Sequence, residues 1–228
     1  MNVVVTGATG MVGGLALGLL LDDPRVDGVI TMGRRTTGRR HKKLTEIEHA
    51  DFTEVRQVGE HLTGVDAALY CLGAYTGAVP DDEFRRITVD FTVGFAEELR
   101  AQSPSAAFCF LSGQGADRKE KSRIPFARHK GAAENALIAA GFPRLHIFRP
   151  GYIYPVAPRE EPNLSYRIMR TLWPAARRIY PNLGVASDHL ARAMAEAALE
   201  GTPGHQSDML ENRDIRRAAA RTANPTLV

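Results

Sequence analysis

The sequence has little cysteine and no long apolar run. Two cysteines, Cys71 and Cys109, are too few for a disulfide framework or a cysteine-based metal cluster. We interpret both as buried, reduced thiols and predict no metal site. No apolar stretch is long enough to cross a bilayer, and the first residues already read as a strand rather than as a signal peptide. These absences predict a cytoplasmic protein that has no membrane partner.

The excess of positive over negative charge is also small. The 29 lysines and arginines are nearly balanced by 26 acidic residues, which leaves a net charge of +3. The arginines are spread along the chain instead of forming a basic stripe with aromatic side chains, so we expect no nucleic-acid partner. The phosphates of an anionic cofactor account for part of the excess. A length of 228 residues with 44% hydrophobic content suits one globular domain, 1–228.

A strand, a glycine turn and a helix follow one another at the start of the chain. Gly7 allows the tight turn after Val3–Val5, Gly10 leaves room for a pyrophosphate, and Gly13 lets the helix pack close to the strand. The free N–H groups at the helix N-terminus attract phosphates. This order is typical of a dinucleotide-binding site. The predicted contacts from the turn are Gly7, Thr9, Gly10, Met11, Val12 and Gly13.

Strand and helix patterns alternate up to about residue 150. This alternation predicts an α/β fold with a Rossmann-type, doubly wound parallel sheet. The predicted strands are 2–6, 28–33, 46–50, 66–72, 106–111 and 145–149, and the predicted helices are 11–21, 53–62, 82–101 and 124–141.

After residue 154, several prolines interrupt the alternation of strand and helix patterns. We therefore divide the domain into a cofactor-binding core, 1–154, and a smaller substrate or lid segment, 155–228, packed on it. Its basic amphipathic stretch at 164–178 suits a lid helix or a membrane surface, and the lid is favoured. A helix over 187–200, a strand over 208–211 and a short last helix complete the prediction, and 222–228 reads as a loose tail.

The second predicted strand ends without an acidic residue. A site for NAD usually places Asp or Glu there, to bind the 2′-hydroxyl of the ribose. This sequence has Arg34 and Arg35 instead, and guanidinium groups suit a 2′-phosphate through charge-assisted hydrogen bonds. The sequence therefore predicts NADP(H) in preference to NAD(H). A solvated basic turn is the alternative.

Other predicted contacts follow the third and fourth strands. Asp51 and Phe52 come after the third strand, where a carboxylate suits the adenine amino group and equally suits a helix cap. A glycine at the end of the fourth strand lets a cofactor pass close to the backbone, although a simple turn is the alternative. The predicted contacts from this end are Cys71, Leu72 and Gly73.

The fifth and sixth predicted strands end in residues suited to the nicotinamide half of a cofactor. Ser112 offers a hydroxyl that can bind a substrate carbonyl, or that only ties down the turn. Pro150 and Gly151 form a turn whose backbone groups can face the nicotinamide amide. Because all these strand ends share one edge of a parallel sheet, we expect them in one cleft.

These motifs in this order resemble the short-chain dehydrogenase/reductase superfamily in its extended and atypical branches. The resemblance is to Tat-interacting oxidoreductase-like proteins, near the NAD-dependent epimerase/dehydratase and NmrA-like proteins, and it covers nearly the whole chain. The motifs that carry it are TGATGMVG at 6–13, MGRR at 32–35, YCLGAYTG at 70–77, LSGQGAD at 111–117, HKGAAE at 129–134, FRPG at 148–151 and MLENRDI at 209–215.

The resemblance implies hydride transfer between NADP(H) and a small carbonyl or alcohol substrate. It assigns the lysine that holds the nicotinamide ribose to Lys130, and the serine that polarises the carbonyl to Ser112, with Gly113 or Gln114 as alternatives. The proton-transferring tyrosine falls on Phe126, which has no ionisable proton. The candidates for a substitute acid are Tyr75, Tyr152, Tyr154 and His129.

Two functions fit this pattern. The first is an NADP(H)-dependent oxidoreductase or epimerase-like enzyme with a degenerate Tyr-Lys site, in which Phe126 replaces the tyrosine. The second is a non-catalytic NADP(H)-binding redox sensor or interaction protein, since Lys130 can hold a ribose without any turnover. The sequence identifies neither the substrate nor the oligomeric state, for which a homodimer is one option.

Overall fold

A parallel sheet forms the centre of the computed structural model, which describes residues 1–75, 77–156, 182–201 and 209–223. Within these residues the sheet has seven strands in the order β3-β2-β1-β4-β5-β6-β9, and every neighbouring pair is parallel. A separate parallel pair joins β7 to β8. The strands are β1 Asn2–Thr6, β2 Gly28–Gly33, β3 Leu44–Glu48, β4 Ala67–Tyr70, β5 Ala107–Leu111, β6 Arg144–Arg149, β7 Tyr152–Tyr154, β8 Gly184–Ala186 and β9 Met209–Glu211.

Helices cover both faces of this sheet. The α-helices are α1 Met11–Asp22, α2 Asp81–Arg85, α3 Phe91–Gln102, α4 Pro125–Ala140, α5 Ser187–Glu200 and α6 Asn212–Ala223, with a 3₁₀ segment at Phe52–Leu62 and a π-helical turn at Arg86–Asp90. Alternate residues of β1 face opposite layers: Val3 and Val5 pack with α1 and α5, whereas Val4 packs with the 3₁₀ segment and α3. The predicted doubly wound Rossmann-type sheet is confirmed.

The predicted helix over 82–101 is interrupted. A π-helical turn separates α2 from α3, and within it the buried carbonyl of Thr88 accepts a hydrogen bond from the hydroxyl of Thr92 at 2.8 Å. The interruption coincides with three consecutive β-branched residues, Ile87 to Val89, which are poor helix formers. The predicted strand over 46–50 also begins earlier, at Leu44.

The predicted division at residue 154 does not hold for all of the later elements. Helix α5 buries Leu190, Ala191 and Met194 in the same core as α1, and β9 extends the central sheet beside β6. These elements therefore complete the core rather than a separate lid. The predicted lid helix over 164–178 lies outside the described residues, as does most of the predicted tail.

Candidate functional site

A tight glycine turn joins β1 to α1 at the carboxyl edge of the sheet. Gly7 has a φ of +69°, and a Cβ on it would lie 2.6 Å from the carbonyl oxygen of Cys71. A Cβ on Gly13, in the first turn of α1, would lie 2.4 Å from the carbonyl oxygen of Gly7. Both positions therefore require glycine, and together they bring the N-terminus of α1 against the ends of β1 and β4.

Gly10 meets a different constraint. It precedes α1 with a φ of −84° and a ψ of 171°, an extended conformation that any residue can adopt. The only described atom within 4 Å of a Cβ built there is the carbonyl oxygen of Gly7, at 3.1 Å. Gly10 lines an open cleft. Its missing side chain therefore leaves space for a ligand and is not required by the core.

This cleft opens between the carboxyl ends of β1, β2 and β4. Its volume is about 140 Å³, and it is open to solvent on one side. None of the residues in the first turn of α1 is acidic, so the positive end of this helix is available to an anion. The cleft is lined by Gly7, Ala8, Thr9, Gly10, Thr31, Met32, Gly33, Arg34, Arg35, Cys71, Leu72 and Gly73.

Arg34 and Arg35 place two positive charges at one end of the cleft. Both side chains are exposed, and neither forms a hydrogen bond or ion pair within the described part of the chain. The turn that follows them is tied to β3, because the N–H and the hydroxyl of Thr37 each donate to Oε1 of Glu46 at 2.6 Å. The two guanidinium groups are therefore unpaired cations on an anchored turn.

Lys130 of α4 is buried beneath the carboxyl end of β5. Its Nζ donates to the carbonyl oxygen of Leu111 at 2.8 Å and lies 4.8 Å from the centre of the Phe110 ring. Burial lowers the pKa of Lys130 to about 8, although the Glu134 carboxylate acts in the opposite direction. Lys130 is not among the residues that line the cleft. Its ammonium group keeps N–H donors that the Leu111 carbonyl does not use.

A buried carboxylate joins the ends of β5 and β6. Glu134 has no exposed surface, and its two oxygens accept hydrogen bonds from Ser112 at 2.5 Å, from Arg149 at 2.8 and 2.5 Å, and from Arg118 at 2.7 Å. Burial favours protonation, but the hydrogen bonds from Arg149, Ser112 and Arg118 hold the pKa of Glu134 below its ordinary value. Sequence reasoning missed this cluster because a glutamate within a helix usually belongs to a solvated face.

The Glu134 contact determines the role of Ser112. The hydroxyl proton is donated to the carboxylate, and only 6% of the residue is exposed. Its backbone N–H also donates to the carbonyl of Phe148 at 2.8 Å. Ser112 therefore ties down the turn, which was the alternative interpretation. The hydroxyl proton is engaged by Glu134 in this structure, and the carbonyl-polarising role implied by the family resemblance stays a prediction.

Phe126, in the first turn of α4, points its ring at Gly113. A Cβ on Gly113 would lie 2.3 Å from Cζ of the ring, and 3.1 and 3.4 Å from the two Cε atoms. The ring tip therefore occupies the space that a side chain at 113 would need. Phe126 precedes Lys130 by about one helical turn, as the motif spacing predicts. Neither Phe126 nor Gly113 carries a hydroxyl group.

Comparison with known proteins establishes the family. The model of the NAD dependent epimerase/dehydratase family matches residues 3–141, more than half of the chain. The chain belongs to this family. It is 30% identical to the protein fmp52, mitochondrial, of Aspergillus clavatus, with 89% of each chain covered. It is 25% identical to the protein HTATIP2 of Rattus norvegicus, over 99% of this chain and 92% of that one. The predicted resemblance is confirmed.

Solved structures of the same fold carry bound NAD. The chain is similar to the enzyme WbmF of Bordetella bronchiseptica in complex with NAD+, with a TM-score of 0.66 and 14% identity over 100% of this chain and 80% of that one. It is also similar to a double mutant of DesIV, a dTDP-glucose 4,6-dehydratase from Streptomyces venezuelae with NAD bound, with a TM-score of 0.67 and 18% identity over 98% and 81%. At these identities the likeness shows the fold.

The family comparison overturns the predicted cytoplasmic location. The fmp52 relatives from Emericella nidulans, Aspergillus clavatus and Aspergillus niger are named mitochondrial proteins. The prediction was wrong because it treated the lack of a secretion signal and of an apolar span as evidence for the cytoplasm. In the part of the chain that the structure describes, no helix is long and apolar enough to cross a membrane.

Half of the predicted cofactor contacts line the cleft, and their role in binding stays a prediction. Sequence reasoning missed the lining residues Ala8, Thr31, Met32 and Gly33, which carry no side-chain signal for a ligand. Met11, Val12 and Gly13 lie in the first turn of α1, just behind the lining. The predicted contacts in the lining are Gly7, Thr9, Gly10, Arg34, Arg35, Cys71, Leu72 and Gly73.

Asp51 and Phe52 have structural roles. Asp51 caps the 3₁₀ segment, accepting hydrogen bonds from the N–H and hydroxyl of Thr53 at 3.0 and 2.6 Å, and it pairs with Arg86 at 2.6 Å. The side chain of Phe52 is fully buried and packs against Tyr70. The structure therefore shows the helix cap, and neither residue is part of the cleft lining.

The backbone groups of Pro150 and Gly151 already have partners inside the protein. The Pro150 carbonyl accepts a hydrogen bond from the N–H of Gln114 at 2.8 Å, and the N–H of Gly151 donates to Oδ1 of Asn212 at 2.9 Å. A Cβ on Gly151 would lie 2.3 Å from the carbonyl oxygen of Leu183. The glycine is thus required by packing, and the predicted contacts with a nicotinamide amide are not supported.

None of the candidates for a substitute acid is among the residues that line the cleft as the described part of the chain forms it. His129 is buried between α4 and α2, where its Nε2 lies 2.9 Å from the carboxylate of Asp81 and its ring packs near Phe84. The remaining candidates are Tyr75 in the loop after β4, and Tyr152 and Tyr154 on β7.

Both cysteines are free thiols, as predicted. Burial raises the pKa of the Cys71 thiol to about 12 and raises that of Cys109 above its usual range, so both stay protonated and unreactive at neutral pH. Among the described residues, no group of three or more His, Cys, Asp or Glu side chains is arranged to hold a metal ion.

Proposed function

We propose that this member of the epimerase/dehydratase family binds NADP(H) and transfers hydride between it and a small carbonyl or alcohol. The observation that carries the proposal is that the glycine turn and the two arginines, Arg34 and Arg35, line one cleft. The turn and the N-terminus of α1 suit a pyrophosphate, and the arginines suit a 2′-phosphate. The family and the shared fold support a nicotinamide dinucleotide as the ligand.

Lys130 is assigned to the nicotinamide half of this ligand. It is held by the Leu111 carbonyl and keeps N–H donors that suit ribose hydroxyls. When bound, the cofactor supplies the hydride. Because Phe126 carries no ionisable group, we also assign proton transfer to Lys130, whose pKa of about 8 allows exchange near neutral pH.

A specific observation favours a second function, that of a non-catalytic NADP(H) sensor. The Phe126 ring fills the space beside Gly113, and Ser112 donates its proton to Glu134. The tyrosine hydroxyl is therefore absent and the serine hydroxyl is engaged by a carboxylate, although the glycine turn and Lys130 remain.

Two measurements test the proposal in order. Calorimetric titration with NADPH and NADH tests the site, and we expect tighter binding of NADPH by about tenfold or more. Oxidation of NADPH is then followed with a panel of small aldehydes and ketones. Turnover that is lost in Lys130→Met supports the enzyme, whereas tight NADPH binding without turnover supports the sensor. No binding of either cofactor would contradict both.

A further inference from the structure

The arginine turn, residues 34–40, is anchored by residues that do not line the cleft. Oε1 of Glu46, on the neighbouring strand β3, accepts two hydrogen bonds from Thr37, one from the N–H and one from the hydroxyl, both at 2.6 Å. The Thr37 hydroxyl in turn accepts a hydrogen bond from the N–H of Arg39 at 3.2 Å. The middle of the turn is thereby fixed to the sheet.

A second anchor fixes the end of the turn to α1. The Arg39 side chain donates to the carbonyl of Gly14 at 3.1 Å, and a Cβ on Gly18 would lie 3.2 Å from its Nη1. The guanidinium therefore lies close against the glycine face of the helix. Gly38, between the two anchors, has a φ of +71°, which a residue with a side chain rarely adopts.

Anchoring matters for the two arginines that precede these contacts. The side chains of Arg34 and Arg35 are exposed, so their position is set only by the backbone of the turn. Binding to a phosphate must order both long side chains, and a mobile backbone would add a further entropic cost. A turn that is already fixed by Thr37 avoids that additional cost.

The hydrogen bonds from Thr37 also fix the position of the Glu46 carboxylate. Glu46 lies beside Thr31, which lines the cleft, so a released carboxylate would approach the arginines and the space of a 2′-phosphate. Its negative charge would repel the phosphate and pair with the guanidinium groups. With both donors of Thr37 on Oε1, the carboxylate is held toward the turn.

We infer that Thr37 and Glu46 are positioning residues for NADPH selectivity: their paired hydrogen bonds hold the turn that presents Arg34 and Arg35. This inference rests on the proposed function, because it concerns the same cofactor site. It assigns the selectivity to residues that do not touch the cofactor as well as to the arginines that do.

Thr37→Val is the direct test, because valine has nearly the same shape and leaves every charge in place. We expect its affinity for NADPH to fall by about threefold to tenfold while its affinity for NADH stays constant. Thr37→Ser, which keeps the hydroxyl, should bind both cofactors like the wild type. Thr45→Val is the matched control, since Thr45 is an exposed threonine on the same strand as Glu46.

The ratio of the two affinities separates positioning from a general loss of structure, which would weaken NADPH and NADH alike. A wild-type preference for NADPH that persists in Thr37→Val would overturn this inference alone. A Thr37→Val protein that gains NADH affinity would also overturn it, because Glu46 would then act as a ribose ligand. A wild type that lacks the preference would overturn the proposed NADP(H) selectivity, and this inference with it.

Discussion

A side chain on Gly113 would displace the ring of Phe126, because a Cβ on the glycine would lie 2.3 Å from Cζ of the ring. The two positions therefore fit each other, one without a side chain and the other with an apolar ring. Lys130, one turn further along α4, donates a hydrogen bond to the Leu111 carbonyl. The first turn of α4 thus carries an apolar ring where the family resemblance predicts a tyrosine.

Replacing Arg34 and Arg35 together by alanine should remove most of the preference for NADPH. A charge-assisted hydrogen bond contributes about 1.5–3 kcal/mol, so the wild-type preference should be about tenfold or more. Calorimetric titration of the double variant with both cofactors measures the change. Arg56→Ala, at an exposed arginine of the 3₁₀ segment, controls for the loss of positive charge. Equal cofactor preference in wild type and double variant would contradict the assignment.

Gly10→Val should abolish NADPH binding and leave the protein folded. The valine would extend into the open cleft, and its backbone conformation suits any residue. Gly13→Ala should behave in the opposite way and destabilise the fold, because its Cβ would lie 2.4 Å from the Gly7 carbonyl oxygen. Circular dichroism and cofactor titration distinguish the two outcomes. A folded Gly10→Val protein with normal NADPH affinity would show that the turn has only a structural role.

The sequence predicts the parts of this molecule that depend on local pattern. The glycine turn and the parallel sheet follow from spacing and apolar periodicity within short segments, whereas the burial of Lys130 does not, because a single lysine in a helix is usually solvated. The contact of Ser112 with Glu134 does not follow from them either, because it joins residues 22 positions apart. Asp51 shows the same limit, since a carboxylate after a strand suits a ligand and a helix cap equally well until its neighbours are known.

Glu134→Gln should destabilise the fold strongly. The change removes the buried negative charge to which Arg149 and Arg118 donate hydrogen bonds, and Arg149 is itself largely buried. Losing one partner of a buried ion pair costs roughly 3–5 kcal/mol. Urea denaturation measures the loss, and Glu97→Gln on the exposed face of α3 is the matched control. Similar unfolding midpoints for both variants would show that Glu134 is not a structural centre.

The stability of the wild type should rise relative to that of Lys130→Met between about pH 8 and 10.5. Burial lowers the pKa of Lys130 from 10.5 to about 8, so in this window the unfolded chain holds a proton that the native protein has lost. Stability increases with pH wherever the unfolded state binds more protons. The shift amounts to roughly 3 kcal/mol at most. Cys109 opposes this trend in both proteins, and Cys71 opposes it more in Lys130→Met, where it has lost the positive neighbour that lowers its pKa. A stability difference that is independent of pH would contradict the lowered pKa.

Phe126→Tyr tests whether a hydroxyl group at this position supports NADPH-dependent carbonyl reduction. The ring axis points at Gly113, so the new hydroxyl would meet the glycine backbone unless the ring shifts, and we expect a stability loss of about 1–3 kcal/mol. Phe126 is only half-buried, which leaves room for that shift.

Once the ring has moved, the hydroxyl would lie one turn before the Lys130 ammonium, whose positive charge should lower the pKa of the phenol. General acid catalysis contributes about 10²–10⁴-fold, so NADPH-dependent reduction of small aldehydes and ketones should rise well above the wild-type rate. Phe126→Leu removes the ring without adding a hydroxyl and should show no such gain. If the tyrosine variant binds NADPH normally but gains no activity, the missing hydroxyl does not limit turnover, and Phe126 does not occupy the position of a lost acid.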